Sequence, residues 1–342
     1  MTQRSVLTGG RRRRRRGPPR GVLAVALLVL AFAAVALTRD EPAGRAPRSP
    51  AHGSVASLPA ATLPQTAKGP APLAGGGTAP SPLAVRLDVG GDPVRVRFRH
   101  PPRSGLLFDI DTGRVLWRHA PTRVLPIASL TKMMTALLVA ERLPRGSRVP
   151  ITREALHYHG SGVGLLPRGR RILVETMLHG LLLPSGNDAA IALAQRVAGG
   201  SVARFVGMMN RRARAMGLVC TRFSRPDGYQ DRGNHSCAGD LAELARAVLR
   251  MPRLAHIVRR RSAVLPFPIK GGRLYLYNNN PLLRAGYRGT TGLKTGYTEA
   301  AGLCLVATAR RHGRRLGVVL LHSPDPYTQS VRLLDRGWRT RR

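Results

Sequence analysis

Residues 126–138 read PIASLTKMMTALL, and we begin with this stretch because it predicts both an element of the fold and a piece of chemistry. Pro126 suits the first turn of a helix, and the apolar residues after it keep a helical spacing, so a helix is predicted over about 127–142. Ser129 and Lys132 are three residues apart, which places their side chains on one helix face. The amine can then reach the hydroxyl, and a serine needs such a base to become a nucleophile.

Lys132 can act as a base only in its neutral form, and burial or a neighbouring cation lowers the pKa of a lysine. Ser129 lies near the predicted helix start, where its backbone N–H has no helical partner and can stabilise an oxyanion. An ordinary N-cap serine followed by an exposed lysine would produce the same pattern. The S-x-x-K motif therefore does not decide the function alone.

A second motif reads Pro184-Ser185-Gly186-Asn187-Asp188 and lies between two apolar runs. A hydroxyl from Ser185 and an amide from Asn187 on one tight turn can relay a proton and hold a substrate carbonyl. The same residues also suit a simple turn that caps a helix, so this motif too is ambiguous alone.

A third motif begins at Gly292 and includes Lys294-Thr295-Gly296-Tyr297. Lys294 supplies a cation and Thr295 a hydroxyl for a substrate carboxylate. Gly296 would let a substrate backbone lie against the edge of a strand. An ordinary strand that leaves a turn would also explain this stretch.

The three motifs together are more specific than any one of them. Their order, S-x-x-K then S-x-N then K-T-G, is the signature of penicillin-recognising serine enzymes. The chain has only four lysines, at positions 68, 132, 270 and 294, and two of them lie inside the motifs.

The surrounding pattern predicts an α/β fold in which strands at both ends of the domain form one sheet around a helical middle. A turn is predicted at Asp111–Gly113. Strands are predicted at 106–110, 115–117, 293–299, 302–309 and 315–322, and helices within about 170–260 and at 326–337.

The N-terminal part carries a membrane signal. Residues 1–20 hold eight arginines and no acid, and residues 21–37 are apolar throughout, so the first segment should stay cytoplasmic and the rest should be exported. Residues 21–37 are either a transmembrane anchor or a signal peptide with a cleavage site at Ala34–Ala36. Residues 38–84 are rich in Pro, Ala and Gly and predict a flexible linker. Residues 85–342 are the predicted catalytic domain.

The chain is strongly basic, with 56 Lys and Arg against 17 Asp and Glu, and a formal charge of +39. Residues 1–84 hold only 12 of these basic residues and two of the acids, so the predicted domain is itself basic. Such a surface attracts anionic lipids or polymers. Nucleic acid is disfavoured as a partner, because the arginines are dispersed and aromatic residues make up only 4%.

The three cysteines are Cys220, Cys237 and Cys304, and none belongs to a C-x-x-C pair or to a cluster with zinc-site spacing, so no metal is expected. Three buried thiols are the simpler expectation. A disulfide between Cys220 and Cys237 is the alternative, should the domain lie in an oxidising compartment.

With these motifs the sequence resembles the low-molecular-weight D-alanyl-D-alanine carboxypeptidases, serine peptidase family S11, over about residues 104–340. The resemblance extends beyond the motifs to DIDTGRVLW, GSGVGLLPRG, ETMLHGLLLPSGNDAAIALA, FVGMMNRRARAMGL, PDGYQDRGNHSCAGDLAELA and GTTGLKTGYTEAAGLCLVATA. It implies the DD-peptidase and β-lactamase-like fold, in which an antiparallel sheet from both ends of the domain holds an inserted helical subdomain. Peptidoglycan stem peptides would be the substrates, β-lactams covalent inhibitors, and no cofactor would be needed.

Carried over by position, the resemblance implies a role for each motif residue. Ser129 is acylated, Lys132 takes its proton, and Ser185 and Asn187 shuttle the proton and grip the peptide. Lys294 and Thr295 meet the terminal carboxylate, with Gly296 beside them, and the N–H groups of Ser129 and Tyr297 form the oxyanion hole.

Two departures from the family pattern stand out. Relatives often place an arginine near the substrate carboxylate after the penultimate strand, whereas this chain has His322 there and no arginine until Arg332. Carboxylate binding would then depend on Lys294 with Thr295, or on another arginine. The second departure lies around Cys237, where Asp240 and Glu243 still predict a capping box with a structural role.

Two other functions remain open. A class A β-lactamase shares the three motifs, but it needs a carboxylate in the context E-x-x-L-N that activates the deacylating water. The acids between the second and third motifs, Asp188, Asp227, Asp231, Asp240 and Glu243, stand in no such pattern. The second alternative is a catalytically inactive, basic wall-binding protein. Whether the enzyme would prefer terminal D-alanine or cross-links is not determined by the sequence.

Overall fold

The main sheet is built from the two ends of the domain, as the sequence predicts. In the computed structural model, which describes residues 81–164, 166–229 and 233–341, five antiparallel strands lie in the order β2-β1-β11-β10-β9. Their bounds are β1 Ser104–Asp109, β2 Val115–His119, β9 Thr290–Thr298, β10 Gly302–Arg311 and β11 Arg314–Leu321. The predicted α/β class is therefore confirmed.

The first and last strands of the sheet sequence, β1 and β11, are both apolar and lie side by side. Leu106 of β1 lies opposite Val319 of β11, and Val306 of β10 lies on the other side of the same residue. A buried ion pair between Asp109 and Arg314, 3.0 Å from Oδ2 to Nε, joins the same two strands at their ends. Burial opposes ionisation of Asp109, but the hydrogen bonds from Arg314 and Thr112 outweigh it and lower the pKa of this carboxyl.

The predicted turn follows β1 and has a local cause. The Asp109 carboxylate accepts hydrogen bonds from the N–H groups of Asp111 and Thr112, and Gly113 adopts a φ of +73° that favours glycine. The chain can then reverse directly into β2.

The helical middle lies on one face of this sheet and encloses most of the core. Its helices are α1 Lys132–Arg142, α2 Arg153–Leu156, α3 Val174–Leu182, α4 Asn187–Val197, α5 Val202–Ala215, α6 Ala238–Arg250 and α7 Pro252–Val258. The short helix α8 Pro281–Arg284 instead contributes Leu282 to the cluster on the other face of the sheet. The last helix, α9 Pro326–Gly337, packs on the other face of the sheet. Apolar residues on both faces of the strands make this three-layer arrangement stable.

Short strand pairs within the helical middle were not predicted. They are β3 Leu125–Pro126 with β6 His235–Ser236, β4 Arg148–Pro150 with β5 Arg171–Leu173, and the hairpin of β7 Ser262–Pro266 with β8 Arg273–Tyr277. Strands of two or three residues are too short for a period-2 pattern to identify them. The hairpin was missed because its strands are joined by a six-residue connection rather than by a tight turn.

The cysteines correct one expectation. Cys220 and Cys237 form a disulfide with a Cα–Cα separation of 5.6 Å, whereas three buried thiols were expected; Cys304 alone is a buried thiol outside a disulfide. The reason is tertiary, because an antiparallel bridge between Arg222 and His235 closes the intervening loop and brings the two cysteines together.

The predicted capping box at Asp240 and Glu243 is also wrong. Helix α6 begins at Ala238 with Cys237 at its N-cap and has no side-chain capping bond, so Asp240 already lies in the first turn. Its carboxylate instead accepts hydrogen bonds from the Cys220 N–H at 2.8 Å and the Thr221 hydroxyl at 2.6 Å. The role of Asp240 is still structural, because it holds the loop that precedes the helix.

The segments predicted at 1–20 and 21–37, and nearly all of the linker 38–84, lie outside the described residues. At the end of that linker, the buried guanidinium of Arg246 donates to the carbonyl groups of Leu83 and Ala84 and so holds them against the domain. Within the described residues, none of the helices combines the length and apolar character needed to cross a bilayer.

Candidate active site

Ser129 lies where strand β3 passes into helix α1. A 3-10 helix spans Ala128–Thr131, so the predicted helix begins with a tighter turn, and α1 starts at Lys132. Ala128 has a φ of +46°, an unfavourable conformation for an L residue immediately before the serine. Gly228 packs on this turn, where an added Cβ would lie 2.0 Å from the Ala128 carbonyl oxygen. The backbone at Ser129 is therefore held from outside the helix.

Lys132 is completely buried, and its Nζ has three close contacts. It lies 2.8 Å from Ser129 Oγ, 2.6 Å from Asn187 Oδ1 and 2.6 Å from the carbonyl oxygen of Asp227. The contact with Ser129 comes from the i, i+3 spacing that the sequence predicted. The other two partners come from distant parts of the chain.

An ammonium would donate to all three oxygens, whereas the neutral amine that proton transfer requires fills the same contacts differently. A neutral lysine has two N–H donors and one lone pair. Asn187 Oδ1 and the Asp227 carbonyl can only accept hydrogen bonds, so they use both donors. The lone pair is then left for the Ser129 hydroxyl, which is the geometry needed for proton transfer from oxygen to nitrogen.

Asn187 is held in a fixed orientation at the start of helix α4. Its side-chain nitrogen donates to the His159 carbonyl at 2.5 Å, and its backbone N–H donates to the Ser161 carbonyl at 2.7 Å. The amide oxygen is thereby turned toward Lys132. The neighbouring Asp188 carboxylate accepts from the Val163 N–H at 2.9 Å, which fastens the same loop.

Ser185 lies in the tight turn between α3 and α4 and has a φ of +72°, again in the left-handed region. Its hydroxyl oxygen lies 2.9 Å from Nζ of Lys294, which reaches it from strand β9. Lys294 also donates to the carbonyl oxygen of Thr295 at 2.8 Å. The second and third motifs are thus connected by a direct hydrogen bond.

Lys294 is almost fully buried, with 1% of its surface exposed. Burial, and secondarily the positive charge of Lys132, hold the pKa of Lys294 well below its ordinary value. A bound anion would raise the pKa of Lys294 again, because its negative charge stabilises the protonated amine in a site that water does not solvate.

Strand β9 passes directly beside the nucleophile. A Cβ added to Gly296 would lie 3.1 Å from both the Ser129 nitrogen and the Ile127 carbonyl oxygen. The glycine therefore permits close approach of the strand to the 3-10 helix, a reason that the sequence alone did not indicate. Tyr297 follows it with 63% of its surface exposed.

Two clefts meet at Ser129. The first, of about 380 Å³, extends over strand β9, and the second, of about 580 Å³, extends toward Tyr229 and Glu299. Ser129, Ser161 and Tyr297 line both clefts. The first cleft is also lined by Ser185, Asn279, Pro281, Thr295, Gly296, Leu303, Cys304, Leu305, Pro326 and Tyr327.

The structure brings all eight predicted site residues to this junction. Among the described residues that line the first cleft there is no arginine, and the start of helix α9 places Pro326 and Tyr327 on the wall. Lys294 reaches this cleft through its hydrogen bond to Ser185, which lines it.

Sequence reasoning missed several groups at the site. The carbonyl groups of Asp227 and His159 fix Lys132 and Asn187, and Ser161, Tyr229 and Asn279 line the clefts. A backbone carbonyl has no side-chain signature in a sequence. The only available signal was that three of these residues, Ser161, Asp227 and Tyr229, lie in stretches that resemble the family.

Comparison with known proteins identifies the family to which the chain belongs. A family model described as D-alanyl-D-alanine carboxypeptidase matches residues 97–325. The D-alanyl-D-alanine carboxypeptidase DacF of Bacillus subtilis is 34% identical over 244 residues, which cover 69% of this chain and 62% of that protein. DacB2 of Mycobacterium tuberculosis is 34% identical over 246 residues, which cover 70% of this chain and 82% of that protein.

Among solved structures, the Streptomyces K15 DD-transpeptidase superposes with a TM-score of 0.67 at 29% identity, and the match covers 72% of this chain and all of that one. The fold predicted from the resemblance is therefore confirmed. The chain spans less than two thirds of the Bacillus relative, so that relative has further length with no counterpart in the match. On the family match and on these identities, the chain belongs to the D-alanyl-D-alanine carboxypeptidase family, serine peptidase family S11.

Proposed function

We propose that this chain is a serine-type D-Ala-D-Ala carboxypeptidase that removes the terminal D-alanine from peptidoglycan stem peptides and is inhibited by penicillins. The observation that carries the proposal is the contact of Lys132 Nζ with Ser129 Oγ at 2.8 Å, with the remaining donors of the amine taken by Asn187 and Asp227. A buried amine in this environment can accept the serine proton.

In the acylation step, Ser129 Oγ attacks the carbonyl carbon of the penultimate D-alanine while Lys132 takes the hydroxyl proton. The N–H groups of Ser129 and Tyr297 stabilise the oxyanion of the tetrahedral intermediate. The proton then passes by way of Ser185 to the leaving amine, the C–N bond breaks, and free D-alanine departs.

In the deacylation step, water attacks the ester carbonyl and gives its proton to Lys132. The C–O bond to Ser129 then breaks and the proton returns to the serine oxygen, which regenerates the enzyme. Asn187 holds the peptide and keeps the amine oriented during both steps.

Carboxylate recognition is proposed for Lys294 and Thr295. The low pKa of Lys294 in the unliganded site means that carboxylate binding and protonation of the amine are coupled. Tyr327, which lines the same cleft, offers a hydroxyl near the position where relatives carry an arginine.

Hydrolysis of β-lactams is the less favoured activity. In the described part of the chain, the Asp188, Asp227 and Asp240 carboxylates each accept hydrogen bonds from groups other than Ser129. Glu299 is the one carboxylate among the described residues that line the two clefts, and it does not stand in the E-x-x-L-N context of a class A β-lactamase, so a penicilloyl ester on Ser129 is expected to persist. Penicillin is therefore expected to act as an inhibitor.

Transfer of the acyl group to another amine is a second candidate, because the K15 neighbour is named a DD-transpeptidase. Hydrolysis and transfer share the acyl-enzyme and differ only in the acceptor. Product analysis with and without an added amino-acid acceptor separates them.

The location of the domain is also a proposal. We expect residues 1–20 to remain cytoplasmic, residues 21–37 to anchor the chain or to be cleaved as a signal, and the linker 38–84 to connect this segment to the exported domain. The N-terminal sequence of the mature protein distinguishes an anchor from a cleaved signal.

The first experiment is labelling of the full-length protein with a fluorescent penicillin beside a Ser129→Ala variant, followed by an assay of D-alanine release from a D-Ala-D-Ala peptide. A persistent adduct on the wild type alone, together with D-alanine release, is expected. Rapid loss of the adduct with antibiotic turnover would indicate a β-lactamase. No adduct on a folded protein would leave a basic wall-binding protein as the function.

A further inference from the structure

The β7–β8 hairpin presents an unusual outer face. Its strands alternate strictly, so that Ala263 and Leu276 are buried in the core. The opposite face holds Val264, Tyr275 and Tyr277, which are 54%, 58% and 68% exposed. We call these three residues the hairpin face.

The hairpin face is contiguous rather than scattered. Val264 lies directly opposite Tyr275 in the strand pairing, and Tyr277 follows on the same side, opposite Ser262. The hairpin itself is fixed to the domain, because the Thr176 hydroxyl of α3 donates to the Pro266 carbonyl at 3.2 Å. A rigid strip of large exposed apolar side chains marks an interaction surface.

The segment of chain that carries this strip has charged residues of one sign only. The chain from residue 244 to residue 298 contains no Asp or Glu and has eleven Lys and Arg. Arg261 lies at the base of the hairpin, where its carbonyl accepts from the Asn278 N–H, and its guanidinium donates to the Arg284 carbonyl at 2.9 Å. Arg273 is exposed at the turn end of the hairpin, opposite Pro266 and on the same side of its strand as Tyr275.

We propose that the hairpin face docks on the surface of an anionic lipid bilayer. A bilayer interface offers negative head groups for the arginines and, just below them, an apolar region for Val264 and the two tyrosine rings. Tyrosine is enriched at this depth because its ring is apolar and its hydroxyl is polar. A purely ionic wall polymer would bind the arginines but would leave the exposed apolar strip in water.

Docking in this way would also place the catalytic cleft near the membrane. Asn279 follows Tyr277 by two residues, and it lines the first cleft. Its side-chain nitrogen donates to the Pro184 carbonyl at 3.1 Å, and its backbone N–H donates to the Leu183 carbonyl at 3.1 Å, directly before Ser185. The hairpin is therefore rigidly coupled to the site, although the docking proposal does not depend on the reaction.

The test must report on the hairpin rather than on the N-terminal apolar segment, so it uses the full-length protein with a local probe. A Tyr275→Cys variant is labelled with an environment-sensitive fluorophore and reconstituted into vesicles of phosphatidylcholine alone or mixed with phosphatidylglycerol. The native thiols do not compete, because Cys304 is buried and Cys220 is bonded to Cys237. A Val89→Cys variant, labelled at an exposed site outside the hairpin, is the control.

With phosphatidylglycerol present, the label at position 275 is expected to shift to shorter wavelength and to resist quenching by aqueous iodide, while the label at position 89 stays accessible. High salt should reverse the effect, because the attraction is ionic in part. Equal quenching at both positions in both kinds of vesicle overturns the proposal.

Substitution of two arginines tests the ionic part of the attraction to the bilayer. In an Arg261→Gln/Arg273→Gln variant of the labelled protein, the ratio of docked to undocked protein is expected to fall about 20-fold. Penicillin labelling of Ser129 should be unchanged, which shows that the variant is folded. Protection that survives these substitutions, or that a soluble anionic wall polymer produces as strongly as vesicles, overturns the assignment to a bilayer.

Discussion

The helical side and the strand side of the site each contribute one buried lysine, and the two lysines differ in what they contact. Lys132, on helix α1, contacts the nucleophile and two pure acceptors. Lys294, on strand β9, contacts Ser185 and the carbonyl of its own strand, and its pKa is lowered by burial and by Lys132. The difference indicates that the helical side moves protons and the strand side recognises the anionic end of the ligand.

The largest effect that tests this division is expected from Lys132→Ala. Loss of the base should slow acylation of Ser129 by penicillin about 10³-fold. The rate of adduct formation measures this, and the thermal unfolding midpoint checks that the variant is folded. A folded variant that acylates at the normal rate would remove the base assignment.

A smaller effect of a different kind is expected from Lys294→Gln. This change keeps a donor of similar length but removes the charge, so kcat/KM for a D-Ala-D-Ala peptide should fall about 30-fold, mainly through a higher KM. The control is a peptide substrate whose terminal carboxylate is amidated, for which the variant and the wild type should differ little. An effect confined to kcat would place Lys294 with the proton-transfer groups instead.

Gly296→Ala tests the close approach of the two sides. The new methyl group would lie 3.1 Å from the Ser129 nitrogen, so the strand must move slightly away from the 3-10 helix. Acylation should slow roughly tenfold through misplacement of the reacting groups. Gly207→Ala is the matched control, because there the nearest atom to an added Cβ is the tip of Arg211 at 3.4 Å. Equal acylation rates in the Gly296→Ala and Gly207→Ala variants would contradict the role of Gly296 in the close approach of the strand.

The smallest effect concerns pH. Because the pKa of Lys294 is depressed, the amine is neutral above that lowered pKa and charged below it. The KM of a carboxylate-terminated peptide should therefore rise as the pH rises through this pKa, by about a few-fold since carboxylate binding itself favours the charged form. The Lys294→Gln variant should lack this dependence of KM on pH. A wild-type KM that is flat or falls across that range would contradict the coupling.

The sequence predicted the long elements of the fold well, since each has a strong periodic pattern. The bounds predicted for the last helix, 326–337, match those of α9, and the three C-terminal strands lie within a few residues of their predicted bounds. Short strand pairs and the start of helix α6 were missed, because patterns of two or three residues carry no usable period. The disulfide depended on a loop closure between Arg222 and His235 that no local pattern reports.

For the site, the residue types were predictable and the contacts were not. Ser129 and Lys132 meet because three residues of helix separate them, so local geometry was sufficient. The partners of the two lysines come from far along the chain. Asn187 lies 55 residues from Lys132, the Asp227 carbonyl 95 residues from it, and Ser185 109 residues from Lys294.

The sequence by itself thus determined the family, the sheet formed from both ends of the domain, and the identity of the motif residues. Each of these depends on local spacing or on residue type. Only the tertiary structure decided that Lys132 has two pure acceptors beside the serine, that Gly296 makes room for the nucleophile's own backbone, and that the hairpin face lies exposed. These features depend on how distant segments pack, because burial and hydrogen-bond partners are properties of the folded chain.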